Sequence, residues 1–255
     1  DGVGYVIVFD DASKLIKAQR DAAWGDVARR LAHEIKNPLT PIQLSAERIR
    51  YKYLDQIDQS EKSHLDRATR TIIEQVESMK SMVNAFSEYA QPVQLNPQST
   101  NIHQLIRDVI DLHQQQPNQP EYTFEFQSHL PNALADPAAL RQILNNLIIN
   151  SRDALSGSLS PKTKISTRSK VIKERQYLHI KFSDNGPGFR QDMLETIFDP
   201  YVTTKEKGTG LGLAISRRLV SEMGGEIHAQ NRSSGGATVI IELLADTSLE
   251  NFSQF

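Results

Sequence analysis

Gly208-Thr209-Gly210-Leu211-Gly212-Leu213 sets three glycines at alternate positions just before a segment, about residues 211–223, that reads as a helix. A glycine-rich turn opening a helix presents unpaired backbone N–H groups and the positive end of the helix dipole, a geometry suited to an anion. The turn carries no Gly-Lys-Ser/Thr, and it does not follow the first strand of a βαβ unit, so neither common nucleotide fingerprint is present. Working outward, the distribution of glycine divides the chain. Of 13 glycines none lies between Asp26 and Ser156, whereas nine lie from Gly186 to Gly236. Glycine serves where backbone turns tightly or approaches a ligand, so the front half reads as helical and the back half as rich in functional loops.

Around the turn, the back half alternates element types. Residues 102–113 read as a helix, and Tyr122, Phe124 and Phe126 alternate as a strand. Asp136-Pro137 is a cap with a first-turn proline, opening a helix to about Leu155. Segments 163–172 and 176–183 form an expected hairpin, and strands at 226–231 and 237–243 close a mixed α/β sandwich. Ahead of it, residues 91–97 carry two prolines and read as a linker.

In the front half, Val27, Leu31, Ile35, Ile42 and Ile49 recur at helical spacing over about residues 14–54. After a polar stretch at 55–63, Leu65, Ala68, Ile72, Val76, Met79, Val83 and Phe86 step by three or four, the seam of a helix packed in a bundle. Two helices and a short connector predict an antiparallel hairpin. One hairpin hides both stripes poorly, so pairing with a second copy into a four-helix bundle, a homodimer, is expected. Gly4 to Phe9 reads as the closing strand of a domain that begins upstream.

Composition excludes several classes. The 255 residues are enough for two modest domains. Lys and Arg total 29 against 31 acids, so net charge gives no reason to bind nucleic acid or anionic lipid. The absence of cysteine removes thiolate nucleophiles and Cys-ligated zinc. No apolar run is long enough for a membrane-spanning helix, and the acidic N-terminus does not read as a signal peptide.

Three further constellations carry chemistry. In His33-Glu34-Ile35-Lys36-Asn37-Pro38-Leu39-Thr40-Pro41, His33 lies about 200° from Leu31 and Ile35 around a helix and so points away from that stripe. A lone helical histidine is ordinarily a solvated surface residue. Here a carboxylate adjoins it and an amide follows one turn on, while Pro38 and Pro41 strip donors from the carbonyls of Glu34 and Asn37, at about 3 kcal/mol apiece if uncompensated. The start of a His-Glu-x-x-His zinc motif is broken by Asn37, and the other histidines lack ligand spacing. Asn146, Asn150 and Asp153 align as a polar stripe on an otherwise apolar helix. Amide and carboxylate oxygens are the hard ligands that Mg²⁺ takes, although plain solvent exposure explains such a stripe equally well. Asp184-Asn185-Gly186-Pro187-Gly188 sets an acid at a strand end before two glycines, a common turn by itself.

Taken in order, these segments resemble the boxes of sensor histidine kinases of two-component systems. His33 to Pro41 is similar to the H box, Asn146 to Ala154 to the N box, Asp184 to Gly188 to the G1 box, Phe198-Asp199-Pro200-Tyr201 to the F box and Gly208 to Gly212 to the G2 box. The H box with its second proline resembles the nitrogen-regulation kinases of the NtrY type. The resemblance implies an α+β architecture: a helical-hairpin dimerisation domain, forming a four-helix bundle in the dimer, then an α/β-sandwich ATP-binding domain of the GHKL type, the Bergerat fold. Its domains would be the end of a truncated PAS-like domain (1–13), a dimerisation and histidine phosphotransfer domain (14–91), a linker (92–100), a catalytic ATP-binding domain (101–245) and a tail (246–255).

The resemblance also implies site roles. His33 would be the phosphoacceptor, Glu34 its base, and Asn37 a residue positioning water in a phosphatase reaction. Asn150 would bind Mg²⁺ and Asn146 support the site. Asp184 would hydrogen-bond adenine in a pocket shaped by Gly186 and Gly188. Thr209, Gly210, Leu211 and Gly212 would form the phosphate-binding turn, with Gly210 and Gly212 giving backbone contact. Residues 189–207 would be the ATP lid, with Lys205 and Lys207 as phosphate partners; a solvated loop charge is the equal alternative for both. Asp153 departs from the Lys or Arg of some subfamilies and takes no phosphate role. The cofactors would be ATP and Mg²⁺, and the partners a second copy and the receiver domain of a response regulator. The fragment would be cytoplasmic, part of a protein anchored in a bacterial inner membrane. A phosphatase-dominant or scaffold sensor, and a GHKL ATPase of another class, are the competing functions.

Overall fold

The computed structural model describes residues 13–91, 93–115, 119–205 and 208–246. The segment expected to close a PAS-like domain lies outside them except for Ser13, as does the expected tail except for Asp246 and as does Lys207. The chain divides between residues 92 and 93 into two compact units. No helix among the described residues is long and apolar enough to cross a membrane.

The first unit is the expected hairpin, α1 (Ser13–Tyr53) and α2 (Gln59–Ala90), packed along each other. Its α1 helix continues through Pro38 and Pro41. Each proline lacks an N–H, so the carbonyls of Glu34 and Asn37 have no donor four residues on. α2 begins earlier than its apolar pattern suggests, because its first turn, from Gln59, is polar and exposed.

The stripe through Val27, Leu31, Ile35, Ile42 and Ile49 stays nearly half exposed in the single chain, as expected of a hairpin that hides its stripes poorly: Val27 is 47% exposed and Leu31 43%, whereas Ala28 is 1% exposed and Ala32 2%. Among the described residues of α1 the buried apolar side chains are Ala28, Ala32, Leu39 and Ala46. Small side chains let two helix backbones approach, while the branched residues beside them keep nearly half of their surface exposed. On α2 the buried positions include Thr69 and Val76, while Ile72 and Met79 of the expected seam are exposed. Two polar rungs tie the helices together. Lys80 Nζ donates to Gln43 Oε1 at 2.7 Å, and Arg50 Nε donates to Asp66 Oδ1 at 2.8 Å.

The second unit is a two-layer sandwich. After β1 (Gln98–Thr100) and α3 (Ile102–Gln114) come β2 (Glu121–Phe126), β3 (Ala133–Ala135), α4 (Pro137–Ala154), β4 (Lys162–Ile172) and β5 (Arg175–Asp184). α5 (Gly212–Glu222), β6 (Glu226–Asn231) and β7 (Ala237–Leu244) complete it. The main sheet has the order β2-β4-β5-β7-β6, with β2 and β4 parallel and every other pair antiparallel. Ile165 of β4, with Leu178, Ile180 and Phe182 of β5, point inward and alternate with polar residues on the other face. The helices supply Ile106 and Ile110, Leu140, Ile143 and Ile148, and Val220, all nearly fully buried.

Two short strands escape the sequence reading. β1 lies within the segment expected to be linker and pairs antiparallel with β3. Three residues are too few to show an alternating pattern, and only the pairing defines them. The joint is locked by Asp136, the N-cap of α4. Its Oδ1 accepts from the N–H groups of Ala138 (2.7 Å) and Ala139 (3.1 Å), and its Oδ2 accepts from Asn96 N–H at 2.7 Å. Burial works against the charged form of Asp136, but these three donors prevail and hold its pKa below the usual carboxylate value.

Candidate functional site

In the first unit, His33 stands on α1 with its side chain in solvent, with Glu34 exposed beside it and Asn37 exposed one turn on. The orientation expected from helical spacing therefore holds, even though the residues packing the hairpin are Ala28 and Ala32 rather than Leu31. An accessible imidazole next to a carboxylate can act as a nucleophile while the carboxylate takes or orients the proton on the other ring nitrogen.

In the second unit, α4, the C-terminal end of β5 and the N-terminal end of α5 border an open cleft, lined by Leu147, Asn150, Ser151, Thr163, Asp184, Gly188, Phe189 and Leu213 among others. The cleft sits there because β4 and β5 deliver polar residues at their ends while α4 runs across them. Asp184 is the last residue of β5. Its Oδ1 accepts from Gly186 N–H at 2.9 Å and Ala237 N–H at 3.3 Å, while among the described residues its Oδ2 takes no protein donor. One carboxylate oxygen is thus fixed and the other left for a ligand's donor. Ser151 and Thr163 share a 2.6 Å hydroxyl contact in the wall.

Asn146 joins α4 to α5. Its Nδ2 donates to Gly212 O at 3.0 Å and Ser216 Oγ at 3.3 Å, so its amide is spent on holding the start of α5 against the cleft. Leu211 is the N-cap of α5 and is fully buried; its N–H reaches Thr209 Oγ1 at 3.4 Å. Gly210 has φ +67°, and a Cβ there would lie 2.5 Å from the backbone carbon of Tyr201. Tyr201 itself holds φ +67° and donates its N–H to Gly210 O at 3.0 Å. A non-glycine residue in that region is strained, and here it is held by the turn that a nucleotide would meet.

Two features carried no sequence signal. Asn231, at the end of β6, clamps the backbone of Phe189 with two 2.7 Å bonds, N–H to Oδ1 and Nδ2 to C=O. Lys205 places its ammonium between Asn150 Oδ1 (2.9 Å) and Asp153 Oδ2 (2.8 Å). The first pair is 42 residues apart and the second 55, separations that no periodicity reports.

Those two oxygens converge on the lysine ammonium, and an amide oxygen with a carboxylate oxygen is also the kind of hard donor pair that Mg²⁺ takes. Among the described residues no three His, Cys, Asp or Glu side chains form a metal site, so phosphate and water would supply the remaining ligands of such an ion.

Comparison with known proteins agrees with this geometry. Residues 135–247 match the histidine kinase-, DNA gyrase B- and HSP90-like ATPase family, and residues 23–94 match the His Kinase A (phospho-acceptor) domain. The chain is 39% identical over 249 residues to the nitrogen regulation protein NtrY of Azorhizobium caulinodans, covering 95% of this chain and 32% of that protein. It spans about a third of the length of the curated relatives it matches. Among solved structures, full-length ShkA in complex with AMPPNP superposes with TM-score 0.63 at 26% identity over 86% of this chain and 46% of that one. Histidine kinase ThkA, in complex with response regulator protein TrrA, superposes with TM-score 0.61 at 27% identity over 90% of this chain and 64% of that one. With a phospho-acceptor hairpin followed by a kinase-type ATPase sandwich, the chain belongs to the sensor histidine kinases, and its relatives include those of the NtrY type.

Proposed function

We propose that the chain autophosphorylates His33 from ATP and passes the phosphoryl group to an aspartate of a response-regulator receiver domain. The observation that carries this reading is an exposed His33-Glu34 pair on one unit and, on the other, a cleft lined by Asp184 and Asn150, which suit an adenine and a cation. One imidazole nitrogen attacks the γ-phosphorus, the N–P bond forms as the P–O bond to ADP breaks, and Glu34 takes or orients the proton of the other nitrogen. Asn150 holds Mg²⁺, which when bound neutralises phosphate charge. Gly186 and Gly188 shape the adenine pocket, and Thr209 to Gly212 give backbone N–H groups to phosphate. ShkA was solved with AMPPNP and ThkA with a response regulator, which supports the same ligand classes here.

The working form is a homodimer. Its support is the apolar surface of the hairpin, where Ile35, Ile42, Ile49, Ile72 and Met79 remain exposed in the single chain. A phosphatase activity towards the regulator, with Asn37 positioning water, is proposed on its exposure one turn from His33. Incubation with γ-labelled ATP and Mg²⁺ tests the kinase reading: acid-labile label is expected on the native protein and none on His33→Gln. Label that persists in the variant refutes the assignment.

A further inference from the structure

We propose that Asp153 is a second cation-binding residue beside Asn150, and that Lys205 holds the divalent-cation position between them until a cation arrives with nucleotide. Asn150 and Asp153 are three residues apart on α4, so their side chains project from one helix face. The Lys205 ammonium lies 2.9 Å from the amide oxygen and 2.8 Å from the carboxylate oxygen. A simple surface ion pair needs only the carboxylate. Recruitment of the Asn150 amide oxygen makes the arrangement a two-oxygen cradle, the hard-ligand chemistry of a magnesium site. The other Asp153 oxygen faces Arg152 Nη2 at 3.6 Å, which leaves Oδ2 for the cation.

Both side chains of the pair are about a third exposed, at 36% each, so a divalent ion can reach and displace the singly charged ammonium. The displacement has a structural consequence. The Lys205 carbonyl accepts from Gly208 N–H at 3.2 Å, and its own N–H reaches Thr203 Oγ1 at 3.1 Å. The ammonium therefore tethers to α4 the turn that precedes the glycine-rich entry to α5. Cation binding and release of this turn become one event.

The inference rests on the second unit being a nucleotide site, and the test separates the two claims. ADP is used because it lacks the γ-phosphate, and its dissociation constant is measured by calorimetry with and without Mg²⁺. Failure of the native protein to bind ADP at all refutes the nucleotide reading itself. If it binds, Lys205→Met is expected to tighten Mg²⁺-ADP by about twofold to fivefold, the range a partly exposed ion pair supports. The same variant is expected to speed hydrogen exchange of residues 201–205 in nucleotide-free protein. Asp153→Asn is expected to shrink the ratio of ADP affinities with and without Mg²⁺, while melting curves report that each variant is folded. Unchanged or weaker Mg²⁺-ADP binding by Lys205→Met, or an unchanged ratio in Asp153→Asn, overturns the proposal.

Discussion

Asp136 shows what a single side chain contributes. It caps α4 and ties in Asn96, so Asp136→Ala removes three hydrogen bonds at a position only 8% exposed. Loss of the cap is expected to cost about 1–2 kcal/mol, measured by urea unfolding at neutral pH. Because the folded pKa lies below the unfolded value of 3.8, the contribution is complete above that value and lost as pH falls through the folded pKa. Native protein and variant should therefore converge in stability in acid. Gly210 is the second residue whose identity is dictated. A Cβ at φ +67° would meet the backbone of Tyr201, so Gly210→Ala is expected to strain the turn by about 1–3 kcal/mol and weaken nucleotide binding. Equilibrium ADP titration alongside a melting curve separates the local effect from unfolding.

At the scale of elements, α1 carries two faces with different work. The narrow face, Ala28, Ala32 and Ala46 around Leu39, sets how closely α2 can approach. Ala32→Leu inserts a large side chain at a position 2% exposed and is expected to destabilise the hairpin by about 1–3 kcal/mol in thermal or denaturant unfolding. The wide face bears the branched residues that sequence periodicity picks out most easily. Periodicity marks that helix and the outward orientation of His33, but it does not single out the buried alanines, because hydrophobicity marks burial without naming the partner. In the second unit the longer strands and α3, α4 and α5 were legible from alternation, caps and glycine. β1 and β3 were not, because three residues hold too little pattern and they are defined by pairing, with each other and through Ala133 with Ala245.

For the whole molecule, the exposed apolar face of the hairpin is the feature that one chain leaves unsatisfied. The expected outcome is a dimer in sedimentation or light scattering, and Ile35→Asp with Ile42→Asp should shift it to monomer while far-UV circular dichroism stays helical. A native protein that sediments as a monomer at working concentration contradicts the dimer. The two family matches set a phospho-acceptor domain ahead of a histidine kinase-type ATPase domain on one chain.

The sequence by itself determined what local physics can encode: a long helical front with an exposed His33, a glycine-rich back with Asp184 and Gly208 to Gly212 at its turns, and Asn146, Asn150 and Asp153 on one helix face. Spacing, capping and backbone freedom all act within a few residues. The tertiary structure alone decided which face of α1 meets α2, that β1 belongs to the sandwich, that Asn231 grips Phe189, and that Lys205 fills the oxygen cradle of Asn150 and Asp153. Those outcomes depend on groups brought together across tens of residues, where packing space and unpaired donors choose the partner.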